Sequence, residues 1–369
     1  MEKAKLFFKR EPVFVISAIC ALLSMVAVPP SAAYAGYVDF RVLELLFCLM
    51  ATVAGMQAEG SFLVLSQKLL TGKKSVRMLM LTLVMLPFFS AMLITNDVSL
   101  ITFVPFAVLV LELTGQSDKL AWVVTLQSIA ANIGSMLTPV GNPQNLYLSS
   151  YYHIPTGTFF SVTVPVVVLS FILLAACCMV GDKQAIEVQF TRKEKIRSKS
   201  RLTLFVLLFL VSLLSVLHLL SSHITLAITA ILMLLCARDV LKKVDYWLLG
   251  TFVCFFIFAG NIGEIGAVKQ FLEGALQQNT MLWSTLSSQV ISNVPAAVLL
   301  SNFTEDAKGM LLGTNIGGLG TLVASLASLI SFKQYVRTPG AKPLKYLGIF
   351  TAANVVMLIV LYGFAAICL

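Results

Sequence analysis

Charged side chains are scarce in this chain. They make up 12% of its 369 residues, against 58% hydrophobic, where a soluble globular protein carries about 25% charged residues. That composition excludes an ordinary soluble enzyme. Histidine is rarer still: His153, His218 and His223 are the full set. Each falls near the end of an apolar segment, which excludes a multi-histidine metal or haem centre and leaves structural roles. The seven cysteines, at 20, 48, 177, 178, 236, 254 and 368, lie in or beside apolar stretches without metal-ligand spacing. They read as small core residues. No GxxxxGK[ST] stretch occurs, which speaks against ATP-driven pumping by this chain and leaves a partner ATPase as the only route to it. The apolar regions hold neither a nucleophile beside its base nor a metal-ligand cluster. The chain is therefore read as no enzyme, with no cofactor beyond a coupling ion.

What the sequence has in abundance is apolar runs. They cover about 13–30, 41–57, 78–113, 120–150, 155–180, 202–219, 222–237, 246–262, 281–303, 308–331 and 346–368. A transmembrane helix needs about 20 apolar residues, so the length supplies roughly ten crossings and no large soluble domain. The fold class expected is an all-α polytopic membrane protein in the lipid bilayer. The net charge of +9 lies between the apolar runs rather than on one face, which makes it a topology signal and not a nucleic-acid surface. The basic start MEKAKLFFKREP lacks a small-residue cleavage site and is read as leading an uncleaved first helix.

Two runs are interrupted at their middles. Thr95-Asn96-Asp97 divides 78–113, and Ser292-Asn293-Val294-Pro295 divides 281–303. A polar triplet there suits the tip of a re-entrant hairpin, because side chains and a water-filled cavity can satisfy the freed backbone groups. With both runs placed as hairpins, only Arg41, Lys269 and Lys308 of the 26 Lys and Arg residues fall outside. This asymmetry puts the N-terminus on the cytoplasmic side of the cytoplasmic (inner) membrane.

The chain divides into an N-terminal half, 1–180, a cytoplasmic linker, 181–201, and a C-terminal half, 202–369. Each half carries the same order of signals, over about 40–180 and 246–368. A helix ends in Ala54-Gly55-Met56-Gln57-Ala58-Glu59-Gly60 or in Ala259-Gly260-Asn261-Ile262-Gly263-Glu264. A hairpin with a central Asn96 or Asn293 follows. Next comes an interrupted helix with Asn132-Ile133-Gly134 or Asn315-Ile316-Gly317, and Thr138 or Thr321 lies six residues after that Asn. The first hairpin opens from the cytoplasm and the second from outside, so the expected plan is an inverted-topology repeat with two re-entrant hairpins and two broken transmembrane helices.

Non-helical backbone at membrane depth lines cavities and binds ions. In the first break Gly134, Gly141 and Pro143 unwind the helix beside Asn132, Thr138, Asn142, Gln144 and Asn145. In the second, Gly317, Gly318 and Gly320 lie beside Thr314, Asn315, Thr321 and Ser325. The candidate substrate- and ion-binding residues are the tips Thr95, Asn96, Asp97, Ser292 and Asn293, with Asn132, Gly134, Thr138, Gly141, Asn142, Pro143 and Asn145 of the first break and Asn315, Gly317, Gly318, Gly320 and Thr321 of the second. A carboxylate near the bilayer centre costs about 2.5–3.5 kcal/mol on insertion scales. Asp97 is accordingly assigned the coupling cation or proton, with an N-terminal helix cap as the alternative. Glu59 and Glu264 are placed at the interface, and Arg41 with Glu44 as a local pair.

At these residues the sequence resembles the ion transporter superfamily: divalent anion:sodium symporters, citrate permeases, arsenite permeases and one class of bacterial sodium/proton antiporters. The family's Ser-Asn-Thr hairpin motif is approximated by Thr95-Asn96-Asp97 and Ser292-Asn293-Val294. Its glycine-rich break with Pro-Asn is similar to Gly134 through Pro143 and Asn145, and to Gly317–Thr321. The resemblance covers about 40–368. It implies one Na+ near Asn96, Asp97 and Asn132, a second near Ser292, Asn293 and Thr321, and substrate between them. It also implies a homodimer in which a hairpin-bearing part moves against a scaffold. Asp97 stands where the family has Thr, which leans toward arsenite-permease-like or antiporter-like members. No basic residue occupies either tip or break, which favours a modest anionic charge, or a neutral or cationic substrate. The function expected is secondary active transport of a small inorganic or organic anion, coupled to Na+ or H+, with a Na+/H+ antiporter or arsenite efflux permease as the alternative. No nucleic-acid partner is expected.

Overall fold

The computed structural model describes residues 11–180, 183–190 and 193–369. The basic stretch over 1–10, expected to mark the inner face, lies outside the described residues. Helix α1 (Pro12–Ala27) starts with a proline where no backbone N–H is needed. A single turn, α2 (Tyr34–Tyr37), precedes α3 (Phe40–Ala58), whose first turn is capped by Asp39 accepting from Val42 N–H at 3.0 Å. After α4 (Ser61–Leu70) and strand β1 (Gly72–Ser75) come α5 (Val76–Ile94) and α6 (Asn96–Leu113), joined by the single residue Thr95. Then α7 (Leu120–Ser135) and α8 (Pro143–Tyr151) are separated by irregular backbone, and α9 (Thr156–Met179) follows.

Strand β2 (Ala185–Val188) pairs antiparallel with β1, Gly72 opposite Val188 and Ser75 opposite Ala185. The second half runs through α10 (Lys199–Val216), α11 (Ser222–Cys236), the short α12 (Arg238–Leu241) and α13 (Tyr246–Glu264). Asp245 caps α13 through Leu248 N–H at 2.9 Å, as Asp39 caps α3. Next are α14 (Gly266–Ile291), kinked at Asn279, and α15 (Asn293–Leu300), joined by the single residue Ser292. The chain continues with α16 (Ala307–Ile316), α17 (Leu326–Val336) and α18 (Pro343–Cys368).

Seven helices among the described residues are long and apolar enough to span a membrane: α3, α5, α6, α9, α10, α13 and α18. The protein is an all-α polytopic membrane protein, with one two-stranded ribbon as its only β-structure among the described residues. The expected ten crossings shrink to seven long spans for a physical reason. The runs 120–150, 281–303 and 308–331 are each divided, and α1 and α11 are apolar but shorter, at 16 and 15 residues. Large apolar side chains such as Leu22, Val26, Leu235, Val356 and Ile359 point outward, as a lipid environment allows.

The end of the central linker, over 193–201, is docked on α3 and α4. Glu59, only 3% exposed, accepts from Ser198 N–H at 2.9 Å and lies 3.3 Å from Arg201 Nε. Arg201 in turn holds Asp239 with two bonds of 2.7 and 2.9 Å. The local Arg41–Glu44 pair is not what forms. Arg41 Nη2 meets His218 Nδ1 at 2.7 Å and Ser215 O at 3.2 Å, and Glu44 meets His223 Nδ1 at 2.7 Å. His218 in the turn after α10 and His223 in the first turn of α11 both reach that face of α3, so each side chain finds a partner across helices.

Candidate functional site

The two single-residue joints have one conformation. Thr95 has φ 64° and ψ 149°, and Ser292 has φ 73° and ψ 155°. Both lie in positive-φ space that side-chain-bearing residues seldom occupy. Each joint reverses the chain at once, making a helical hairpin from α5 and α6 and another from α14 and α15. The first is stitched at its stem. Ser99 Oγ donates to Pro87 O at 3.2 Å and meets Ser90 Oγ at 2.8 Å. Pro87 has no N–H, so the carbonyl of Leu83 four residues earlier is freed. Gln127 Nε2 takes it at 2.8 Å.

Both tips are pinned to a break. Asn96 N–H donates to Gly141 O at 3.2 Å, and Asn293 N–H donates to Ala324 O at 3.0 Å. Thr138 donates its hydroxyl to Met92 O, and Thr321 donates to Gln289 O at 3.0 Å. Met92 and Gln289 each stand three residues before a tip joint. The breaks need glycine where backbones touch: a Cβ on Gly134 would run into the Phe88 carbonyl, and Gly320 has φ 101°. Gly141, Gly317 and Gly318 sit in the same tightly packed breaks.

The breaks meet through side-chain amides. Asn132 Oδ1 accepts from Ser325 Oγ at 2.8 Å and from Asn96 Nδ2 at 3.0 Å, while Asn132 Nδ2 donates to Ser328 Oγ at 3.2 Å. Asn315 Oδ1 accepts from Asn142 Nδ2 at 3.1 Å, while Asn315 Nδ2 donates to Asn145 Oδ1 at 2.6 Å. Asn142 also caps α8 through Asn145 N–H at 2.9 Å. All of these side chains are buried. Each asparagine of one half is clasped by two polar groups at the helix start of the other.

Four helices, α6, α8, α15 and α17, begin at this centre. A small cavity of about 30 Å³ lies among their first turns, lined by Asn96, Asp97, Pro143, Gln144, Ser292, Asn293, Val294, Pro295 and Ser325. Two of its lining residues carry buried oxygens with no partner, Asp97 Oδ1 and Gln144 Oε1. A larger cavity of about 410 Å³ reaches Thr95, Asp97, Asn142 and Pro143 from one side, and its lining includes Gln57, Glu11, Lys243, Asp245 and Lys333. Asp97 borders both.

The candidate residues therefore divide into groups. Asn96, Asp97, Pro143, Ser292 and Asn293 surround the small cavity, with Thr95 and Asn142 at its wider neighbour. Asn132, Asn145 and Asn315 form the amide clasp behind it. Thr138, Thr321 and Gly320 hold the hairpin stems and line neither cavity. Ser328, Gln289, Lys243 and Lys333 were not singled out by sequence. A signal for Ser328 was present: Asn132 and Asn315 are 183 residues apart, and the same step from Asn145 lands on Ser328.

The family model for citrate transporters matches residues 2–307. The chain belongs to the citrate transporter family. This family member is 34% identical to an uncharacterized transporter of Methanocaldococcus jannaschii over 300 residues, 80% of this chain and 81% of the relative. It is 29% identical to the inner membrane protein YbiR of Escherichia coli over 303 residues, 80% of each chain. A shorter similarity, 34% over 118 residues, joins it to the silicon efflux transporter LSI3 of Oryza sativa subsp. japonica, covering 32% of this chain and 24% of that one. The citrate transporter family member is a multi-pass membrane transporter.

Proposed function

We propose that this transporter moves a small anion across the cytoplasmic membrane by secondary active transport, coupled to a Na+ or H+ gradient. The observation that carries the reading is the convergence of four helix N-termini around one carboxylate without a partner at Oδ1, that of Asp97. Helix N-termini present free N–H groups and partial positive charge, which favours an anion. A charged Asp97 beside them repels it. A proton or a small cation on Asp97 removes that repulsion, so that anion and cation occupy the centre together. A void of about 30 Å³ exceeds the roughly 10–15 Å³ that a single water needs, enough for a single dehydrated cation. Gln144 Oε1 and the hydroxyl and amide oxygens of Ser292 and Asn293 are its neutral ligands.

The anion itself belongs in the cavity of about 410 Å³. Lys243 and Lys333 offset Glu11 and Asp245 along its lining, so a singly or doubly charged small anion suits it better than a multivalent one. The remaining features of this reading are a cytoplasmic N-terminus and a homodimer. A second reading, Na+/H+ exchange or arsenite efflux, is favoured by Asp97 being the only acidic residue lining the small cavity among the described residues.

Purified protein in liposomes tests the choice. Gradients of Na+ and H+ are imposed one at a time across a panel of oxyanions, carboxylates and arsenite. Anion uptake driven by one gradient, with Asp97→Asn keeping downhill anion flux but losing the drive, is the expected result. Gradient-driven uptake undiminished in Asp97→Asn overturns the assignment. Sodium-dependent proton movement with no anion present establishes the second reading.

A further inference from the structure

The centre is not the end of the path through this molecule. A second cavity, of about 360 Å³, is lined by residues 36–39 just before α3, by Tyr147 and Tyr151 near the end of α8, by Phe256 and Gly260 of α13, and by Asn302. The larger cavity at the centre runs along α3 from Leu46 to Gln57 and touches the other two helices at earlier positions, Pro143 and Leu146 of α8 and Trp247 and Thr251 of α13. The two spaces therefore lie on opposite sides of one layer of side chains. On α8 consecutive residues, Leu146 and Tyr147, face different cavities. On α13 the step is from Thr251 to Phe256, which at 1.5 Å per residue is about 7.5 Å.

That thin layer is aromatic. Tyr147 is 2% exposed, and its ring centroid lies 5.7 Å from that of Phe256, which in turn lies 6.0 Å from Phe252. The Tyr147 hydroxyl meets Ser301 Oγ at 2.7 Å. Ser301 belongs to the short turn that ends the arm α15 of the second hairpin. Tyr152 grips the same turn, donating to Ser301 O at 3.2 Å and Thr304 O at 2.9 Å, and Tyr151 donates to Asn302 at 3.1 Å. Displacement of the second hairpin therefore pulls directly on the hydroxyl that holds Tyr147 in place.

We propose that the second cavity is the chamber through which the solute communicates with the opposite face, and that Tyr147, packed on Phe256 and tied to Ser301, is the barrier residue between that chamber and the central site. The inference rests on the transport reading above and adds to it the place where the path is closed. Tyr147 selects by size and by hydration, since a hydrated ion cannot cross packed rings until the Ser301 bond is released.

Thiol labelling tests this without any substrate. None of the seven cysteines lines either cavity, so the wild-type chain supplies the background. Asn302→Cys and Lys333→Cys, in vesicles of defined orientation with a membrane-impermeant reagent, should each react from one face, and from opposite faces. Thr251→Cys should react fast from the Lys333 face and only at a slow basal rate from the other. Adding Tyr147→Ala should open Thr251→Cys to the other face. Adding Ser301→Ala, which keeps every ring, should raise that reactivity roughly fivefold, the population shift expected from losing one buried hydrogen bond. Labelling of 302 and 333 from the same face overturns the inference, as does a Thr251→Cys that stays at its basal rate from the Asn302 face in the Ser301→Ala background. Because labelling needs neither anion nor coupling ion, correct labelling with no flux would reject the transport reading instead.

Discussion

Asn142 donates to Asn315 at 3.1 Å, and the contact has a twin in Ser325 donating to Asn132 at 2.8 Å. Asn132 and Asn315 are 183 residues apart, and so are Asn142 and Ser325. The same step relates Asn145, which accepts from Asn315, to Ser328, which accepts from Asn132. Position i of one half thus meets position j of the other while j meets i, the reciprocity of a two-fold contact. The hairpin tips obey a second step of 197 residues, from Thr95 to Ser292 and from Met92 to Gln289.

Reciprocity makes the two asparagines comparably important. Asn315→Ala leaves Asn145 Oδ1 without its donor, while Asn142 Nδ2 keeps Ser135, and Asn132→Ala leaves Ser325 Oγ and Asn96 Nδ2 without their acceptor, while Ser328 keeps Ser128. Each substitution is expected to cost about 1–3 kcal/mol, the penalty for leaving buried polar groups unpaired. Thermal unfolding of the detergent-solubilised protein measures it. A double-mutant cycle on Asn132 and Ser325 should return a coupling of about 0.5–3 kcal/mol, whereas Asn132 with Asn302, which share no partner, should add independently.

Thr95 and Ser292 hold a backbone conformation suited to glycine, at a cost of about 1–3 kcal/mol each. Thr95→Gly and Ser292→Gly should therefore leave the melting temperature equal or higher while slowing transport, because the tip loses both its hydroxyl and its rigidity. A glycine tip that melts lower and transports normally would show that the joint carries no strain.

Glu59 is buried against Arg201 and the backbone of Ser198. Arg201 is one-third exposed and retains Asp239, so the loss in Glu59→Gln is moderated by solvent, to about 1–2 kcal/mol. The checking measurement is limited proteolysis across 193–198, which should quicken in the variant and leave cleavage elsewhere unchanged.

His218 sits in the turn after α10, where burial, the Arg41 guanidinium and His153 hold its pKa below the usual histidine value. The unfolded chain, with a value of about 6.5, takes up the proton first. The stability contributed by neutral His218 is complete above about pH 6.5 and is lost as pH falls through the lowered folded value. Melting temperature should drop on acidification, and His218→Gln should flatten the slope in that window. An identical slope in the variant would assign the acid sensitivity to other groups.

The signals that could be read from sequence were those backed by composition and covalent geometry. Scarce charge and long apolar runs gave the membrane class, and the polar triplets with Gly and Pro marked both joints and both breaks. What could not be read was which amide faces which, since Asn132, Asn142 and Asn315 are alike in sequence and differ only in the helix start opposite each. The lysines beside the larger cavity were hidden for another reason. Lys243 precedes α13 and Lys333 lies near the end of α17, two turns past the second break, and only the packing of these elements around the hairpin brings them to the same space. Arg41 and Glu44 misled because spacing along a helix reports neighbours on that helix and not a histidine-bearing turn from elsewhere.

The ribbon of Gly72–Ser75 with Ala185–Val188 governs where the polypeptide can be severed. A chain cut just after Phe190 keeps both strands in its first fragment, so two co-expressed pieces can reassociate through the lipid-embedded helices and the docking of Glu194, Ser198 and Arg201 on Gln67 and Glu59. A cut just before Ala185 strips Gly72–Ser75 of its mate and leaves a raw sheet edge beside the first hairpin, an invitation to aggregate.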